Sequence, residues 1–251
     1  SRASISATGV TVVILEDTGS NYIAFYDRTG TKLQIEIQTT LAGNGYPLDL
    51  CVSPNGMLLM VSYVYLDQGS MQNQVVFYNF DDEGQNVTDR LVGGFRDYGS
   101  SMAARVRFLD DTHACAFAQD GLRFYSLENT VQPELTAQAD LAEGEQIDSI
   151  LYSESYAGMV VSDGSGRSLR MYDEGGREVF RTDVDLEYET AEISGDHVLL
   201  YRDSECRIYN MNGNLKYSGA LDGGIDKLIC LGERSYIQIG PQSVKGLELR
   251  K

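Results

Sequence analysis

Eight aspartates recur at matching places along the chain and are the side chains best suited to chemistry. Five of them, Asp17 (EDTGS), Asp67 (LDQGS), Asp120 (QDGL), Asp163 (SDGSG) and Asp203 (RDSE), each follow an apolar segment and precede a Tyr-bearing one. Carboxylates gathered on one edge would attract a cation or a basic partner. The same residues also meet a structural demand, because Asp caps tight turns by accepting from the backbone two residues on. A nearby Gly supplies a left-handed residue in four of the five. Three more, Asp49 (PLD), Asp148 (QID) and Asp226 (GID), stand near the start of apolar segments. If those segments line a common channel, the three could hold Ca²⁺ or a similar hard cation. That is the alternative reading, a metal-dependent hydrolase or lactonase-like enzyme. No Glu or Asn set completes a six-oxygen shell, and their offset from the following turn varies by about one residue, enough to reverse a strand face.

Other nucleophiles and bases are sparse. His113 and His197 occupy matching positions and read as a repeat position more than as a ligand pair. Cys51, Cys115, Cys206 and Cys230 are far apart, form no C-x-x-C pair, and read as buried reduced thiols. There is no G-x-S-x-G elbow. GSGRSL at 164–169 leads into a strand, so no phosphate cradle is expected. DVDLE at 183–187 lacks the Gly of a calcium loop and reads as an outer strand, and NVT at 86–88 is a bare glycosylation sequon.

Composition narrows the classes. The 251 residues carry 20 Lys and Arg against 37 Asp and Glu, a net charge of −17, which argues against nucleic-acid binding. Hydrophobic residues make up 42% of the chain, with 16 Tyr and 8 Phe, enough for a packed core. No apolar run approaches the length of a membrane span. The start, SRASISATG, lacks the basic and apolar regions of a signal peptide, and suggests a piece of something longer.

The elements that must position these residues are repeats. IAFYD (23–27), VVFYNF (75–80), LRFYS (122–126), LRMYD (169–173) and CRIYN (206–210) share one pattern, and GLELR (246–250) is a degenerate copy. The tyrosines 26, 78, 125, 172 and 209 are spaced by 52, 47, 47 and 37 residues. A period of about 40–50 residues is that of a four-stranded propeller blade. In most units a first strand ends in a polar turn such as SPNG (53–56), and a second strand such as MLLMVSYV (57–64) is apolar on consecutive residues. Continuous apolar character means both faces are covered, as in stacked blades. The Tyr strand is third, and a Gly or Asn-Gly turn leads to a polar fourth. The expected fold is all-β: one β-propeller domain, 1–251, of about six four-stranded blades, possibly part of a larger ring. The blades begin near residues 2, 46, 102, 146, 187 and 224, the last being incomplete. A two-sheet sandwich fits the period less well.

SPNG resembles the S-P-D-G turn of TolB-like propellers. FYDRTGTKL, MYDEGGREVF and IYNMNGNLKY resemble the D-x-x-G-x-x-x-W repeat of quinoprotein-like propellers, with Trp replaced throughout. The longer stretches ISATGVTVVILEDTGSNYIAFYDRTGTKL and YPLDLCVSPNGMLLMVSYVYLDQGSMQNQVVFYNF resemble an uncharacterised propeller family of Gram-positive bacteria. The resemblance implies an extracytoplasmic propeller, held to the membrane by an N-terminal anchor that precedes this chain. It implies no activity. The expectation is a non-enzymatic binding or scaffold module with no cofactor. Its ligand would be a protein, peptide or glycan, held at the rim that carries the five aspartates, TLAGNGYP (40–47) and FRDYGSS (95–101).

Overall fold

A computed structural model describes residues 2–17, 20–40, 43–80, 90–130 and 132–249. The NVT sequon lies outside them, as does the side chain of Asp17. Among the described residues, twenty-three strands form six antiparallel sheets, and in each sheet the strands lie side by side in chain order. The first sheet contains β1 (Ala3–Ile5), β2 (Thr11–Asp17), β3 (Ser20–Tyr26) and β4 (Lys32–Thr39). The second contains β5 (Tyr46–Val52), β6 (Leu58–Asp67), β7 (Ser70–Asn79) and β8 (Leu91–Phe95). The third contains β9 (Ala103–Phe108), β10 (His113–Ala118), β11 (Gly121–Ser126) and β12 (Glu134–Asp140). The fourth contains β13 (Gln146–Tyr152), β14 (Tyr156–Ser162), β15 (Arg167–Asp173) and β16 (Glu178–Asp183). The fifth contains β17 (Thr190–Ser194), β18 (His197–Arg202), β19 (Glu205–Asn210) and β20 (Leu215–Ala220). The sixth has three strands among the described residues, β21 (Lys227–Cys230), β22 (Ser235–Gly240) and β23 (Ser243–Glu248). The chain divides into two compact units, Ser1–Leu141 with Glu174–Gly176, and Ala142–Asp173 with Arg177–Lys251.

In the first unit the core lies between neighbouring sheets. Ile23, Phe25, Leu59, Val61 and Tyr63 fill the space between the first and second. Met60, Phe77, Val106, Ala116 and Tyr125 fill the space between the second and third. Leu59, Met60 and Val61 thus alternate between two cores, which is why the second strand is apolar without interruption. The second unit repeats the device, with Val198 and Leu200 facing one cluster and Leu199 and Tyr201 facing another.

The repeated tyrosines close each third strand. Tyr78, Tyr125, Tyr172 and Tyr209 are buried, and Tyr26 is half-buried. In these five sheets the pairing of third with fourth strand slips just before the Tyr, by two residues in the first sheet and by one in the other four. Such a bulge increases local twist and turns the polar outer strand away from the apolar layer.

Candidate functional site

The β6–β7 hairpin projects from the first unit. Its strands have ten residues each, against six or seven in the corresponding strands of the other sheets. The two-residue turn Gln68-Gly69 has φ of 48° and 83°, the left-handed pair that a tight hairpin of this twist requires. Asp67 stands exposed at the tip. Beside it, Leu66 and Met71 face each other across the strands and are 50% and 54% exposed. Large apolar side chains in that position are not needed for the core, and strand alternation sets them on the face opposite Asp67 and Tyr65.

A groove of about 480 Å³ adjoins the hairpin, between β4 on one side and β7 and β8 on the other. Its wall is ordered by side-chain bonds. Gln74 donates from Nε2 to the Asn44 carbonyl at 2.7 Å and accepts from Arg96 Nε at 2.9 Å. The Arg96 guanidinium lies over the Tyr65 ring, 5.3 Å from its centroid, and so ties the groove to the hairpin. Gly94 leaves no room for a side chain at the floor, where a Cβ would sit 3.1 Å from the Val75 carbonyl oxygen, while Gly93 faces the other way, toward Pro133.

Asp120, Asp163 and Asp203 occupy second-to-third-strand turns, as the repeats imply, but their carboxylates are differently engaged. Asp120 accepts from Ser101 Oγ at 2.7 Å and pairs with Arg123 at 2.9 Å. The following residue must be Gly121, where φ is 138° and a Cβ would fall 2.2 Å from the Ala139 carbonyl. Asp163 caps its own turn, accepting from Ser165 Oγ and Ser165 N at 2.8 Å and from Gly166 N at 2.9 Å. Those bonds, the Ser165 hydroxyl first, lower its pKa. Asp203 is itself left-handed, with φ of 53°, and its carboxylate is 83% exposed, 3.5 Å from Arg202.

Asp49, Asp148 and Asp226 do not share one environment. Asp49 is buried, and its two oxygens are saturated. Oδ1 meets Arg2 at 3.0 Å and Arg105 at 3.6 Å, and Oδ2 accepts from Arg107 and from Val106 N at 3.0 Å each. Three guanidinium groups there repel a metal ion. Asp148 accepts from Ser162 Oγ at 2.7 Å and from Arg167 Nε at 2.8 Å. Asp226 is exposed just before β21. Among the described residues no three His, Cys, Asp or Glu side chains gather as a metal site.

The histidines are structural in their contacts. His113 Nδ1 lies 2.8 Å from Asp110 Oδ2. His197 Nδ1 lies 3.3 Å from Cys230 Sγ. Burial lowers the His197 pKa and raises that of the Cys230 thiol, so both groups are held neutral, the opposite of an activated thiolate–imidazolium pair. Cys51, Cys115 and Cys206 are buried free thiols.

Sequence reasoning missed a set of arginines two residues before the Tyr. Arg123, Arg170 and Arg207 lie on the third strands of the third, fourth and fifth sheets. Arg123 pairs with Asp120 and Asp140, Arg170 with Glu145, and Arg207 with Asp185. The signal was present in LRFY, LRMY and CRIY.

No curated protein sequence matches the chain. Among solved structures, a prolyl endopeptidase superposes with a TM-score of 0.60 at 11% identity, covering 99% of this chain and 40% of that one. The chain therefore spans well under half the length of that protein. Sqt1 of Chaetomium thermophilum, bound to the N-terminus of the ribosomal protein L10, superposes with a TM-score of 0.59 at 12% identity, covering 98% of this chain and 71% of that one. At such identities the likeness speaks to the fold, which is a β-propeller. The model of a family of unknown function, DUF5711, matches residues 1–249, and the chain belongs to that family.

Proposed function

We propose that the chain is a non-enzymatic binding module that holds a peptide or protein segment wrapped over the β6–β7 hairpin, with the apolar pair on one face of the hairpin and the groove on the other. The observation that carries this reading is the exposed Leu66–Met71 pair on a hairpin longer than its counterparts. Apolar anchors ringed by polar groups are what a protein interface uses. The Gln74–Arg96–Tyr65 chain holds the groove wall ready, so little ordering opposes binding. That the similar Sqt1 structure holds the N-terminus of a ribosomal protein supports peptide recognition as a use of this fold. The exposed Asp67 favours a ligand with a basic residue near its apolar anchor.

Selection of a displayed peptide library on the chain tests this. Enriched peptides should bind the wild type and lose about tenfold or more in affinity to a Leu66→Ser/Met71→Ser variant. Asp67→Asn should weaken the basic peptides and flatten their salt dependence. Enriched peptides indifferent to all three changes, or no enrichment, would overturn the reading.

The extracytoplasmic, membrane-anchored placement implied by the sequence resemblance belongs to the same proposal. Protease added to intact cells should then digest this domain while a cytoplasmic marker survives, and protection of the domain would count against it.

A further inference from the structure

The arginines around Asp49 form a cationic pocket in a strongly anionic chain. Arg2 precedes β1, Asp49 lies on β5, and Arg105 and Arg107 lie on β9, the first strands of three successive sheets. They line a pocket of about 390 Å³ in which Asp49 is the one acid facing three guanidinium groups. The pocket thus holds two positive charges in excess within a chain of net charge −17.

This charge is not spent on structure alone. Asp49 is neutralised by its two 3.0 Å guanidinium contacts, from Arg2 and Arg107, and needs no third. Arg105 stands off at 3.6 Å, beyond good hydrogen-bond length, with its side chain 45% exposed. Arg2 meets Asp49 through one nitrogen, Nη1, and is 47% exposed. A guanidinium presents five donors in a planar fork, so both keep N–H groups directed to solvent. Low-dielectric walls concentrate the field of such a cluster. In Cys51 and Leu50 the pocket has walls of that kind.

We propose that this pocket binds a dianionic oxyanion, a phosphoryl or dicarboxylate group, through the free forks of Arg2 and Arg105. The ligand completes the charge balance that Asp49 leaves unfinished, and Arg107 with the Val106 amide holds Asp49 in place beneath it. The site is remote in kind from the hairpin, which offers apolar anchors and a carboxylate, and it does not depend on the peptide reading.

Calorimetric titration of the full chain with inorganic phosphate and with malonate, at constant ionic strength, tests the proposal. The wild type should show saturable one-to-one binding of at least one of them. Arg105→Gln and Arg2→Gln should each weaken it by about tenfold, as loss of a charge-assisted fork does. Arg105 is 45% exposed and stands 3.6 Å from Asp49, so Arg105→Gln should melt like the wild type, whereas Arg2→Gln, which removes a 3.0 Å contact to the buried Asp49, should melt somewhat lower. Leu66→Ser/Met71→Ser should bind the anion unchanged, which separates this site from the hairpin. Preference for phosphate assigns a phosphoryl ligand, and preference for malonate assigns a dicarboxylate. No saturable binding up to about 20 mM, a weak limit worth only about 2 kcal/mol of affinity, would overturn the proposal. Equal binding by the Arg105→Gln variant would overturn it as well.

Discussion

Arg170→Met should cost about 3 kcal/mol of unfolding free energy, because it strands a mostly buried carboxylate. Arg170 meets Glu145 through two nitrogens, Nη1 at 2.9 Å and Nη2 in closer contact, and the side chains are only 7% and 16% exposed. Glu145 also accepts from Ala142 N at 2.9 Å, so it cannot swing out to water without breaking the turn that leads into β13. The double variant Arg170→Met/Glu145→Leu should recover most of the loss, since removing both ions also removes their desolvation. Arg123→Met should cost less, about 1 kcal/mol, because its partners Asp120 and Asp140 are 46% and 60% exposed and can be solvated. Urea denaturation of the four proteins measures the series. A loss below about 1 kcal/mol for Arg170→Met would show that the pair is not the clasp its burial implies.

The comparison of Arg123, Arg170 and Arg207 shows how far the chain could be read before its structure was known. The six sheets begin at Ala3, Tyr46, Ala103, Gln146, Thr190 and Lys227, close to where the repeats place them. Local signals suffice for that in five of the six sheets, because a Tyr near the end of the third strand and a largely apolar second strand are both written within a few residues. The arginines sit in the same short motifs. Their meaning was hidden because a partner such as Glu145 lies 25 residues away and its approach depends on how the first strand starts. Asp49 is the stronger case. Its cationic surroundings are not legible in the sequence, because Arg2, Arg105 and Arg107 come from 47 to 58 residues away, from the two flanking sheets. Register adds to this. The β5–β6 pairing slips between Pro47 and Asp49, leaving Leu48 as the extra residue, whereas in β13–β14 the extra residue is Asp148 itself. Two aspartates that look equivalent in PLD and QID are therefore displaced by one residue, one buried and the other exposed. The hairpin was partly legible, since SYVYLDQGSMQNQ is visibly long, but the exposure of Leu66 and Met71 depends on what the second sheet leaves uncovered.

Replacing Asn73 by Leu should destabilise the first unit by about 3 kcal/mol and loosen the hairpin that carries the proposed peptide site. Asn73 is 1% exposed and is fully used. Its Nδ2 donates to Ser62 Oγ at 3.0 Å and to the Tyr63 carbonyl at 2.8 Å, and its Oδ1 accepts from Ala103 N at 3.0 Å. Ser62 Oγ in turn donates to the Ala103 carbonyl at 2.7 Å. One amide thus joins β6, β7 and β9 at the base of the hairpin. Leu has the same number of side-chain heavy atoms and the same branch point but bulkier methyl groups, so some overpacking adds to the larger cost of polar groups left dry. The Ala103 N–H loses its acceptor, and the Tyr63 carbonyl loses a donor, where water cannot reach them. Asn73→Asp should cost at least as much, because it keeps the acceptor for Ala103 but buries a charge and loses both donors. Ser62→Ala removes a donor and an acceptor together and should cost about 1 kcal/mol. Urea unfolding gives the stabilities, and amide exchange of residues 64–72 reports the hairpin. Faster exchange there in Asn73→Leu than in Ser62→Ala, with the second unit unchanged, is the expected pattern. Unaltered exchange alongside a small loss of stability would mean that the hairpin is held by its strand pairing alone, and that Asn73 has no part in presenting Leu66 and Met71.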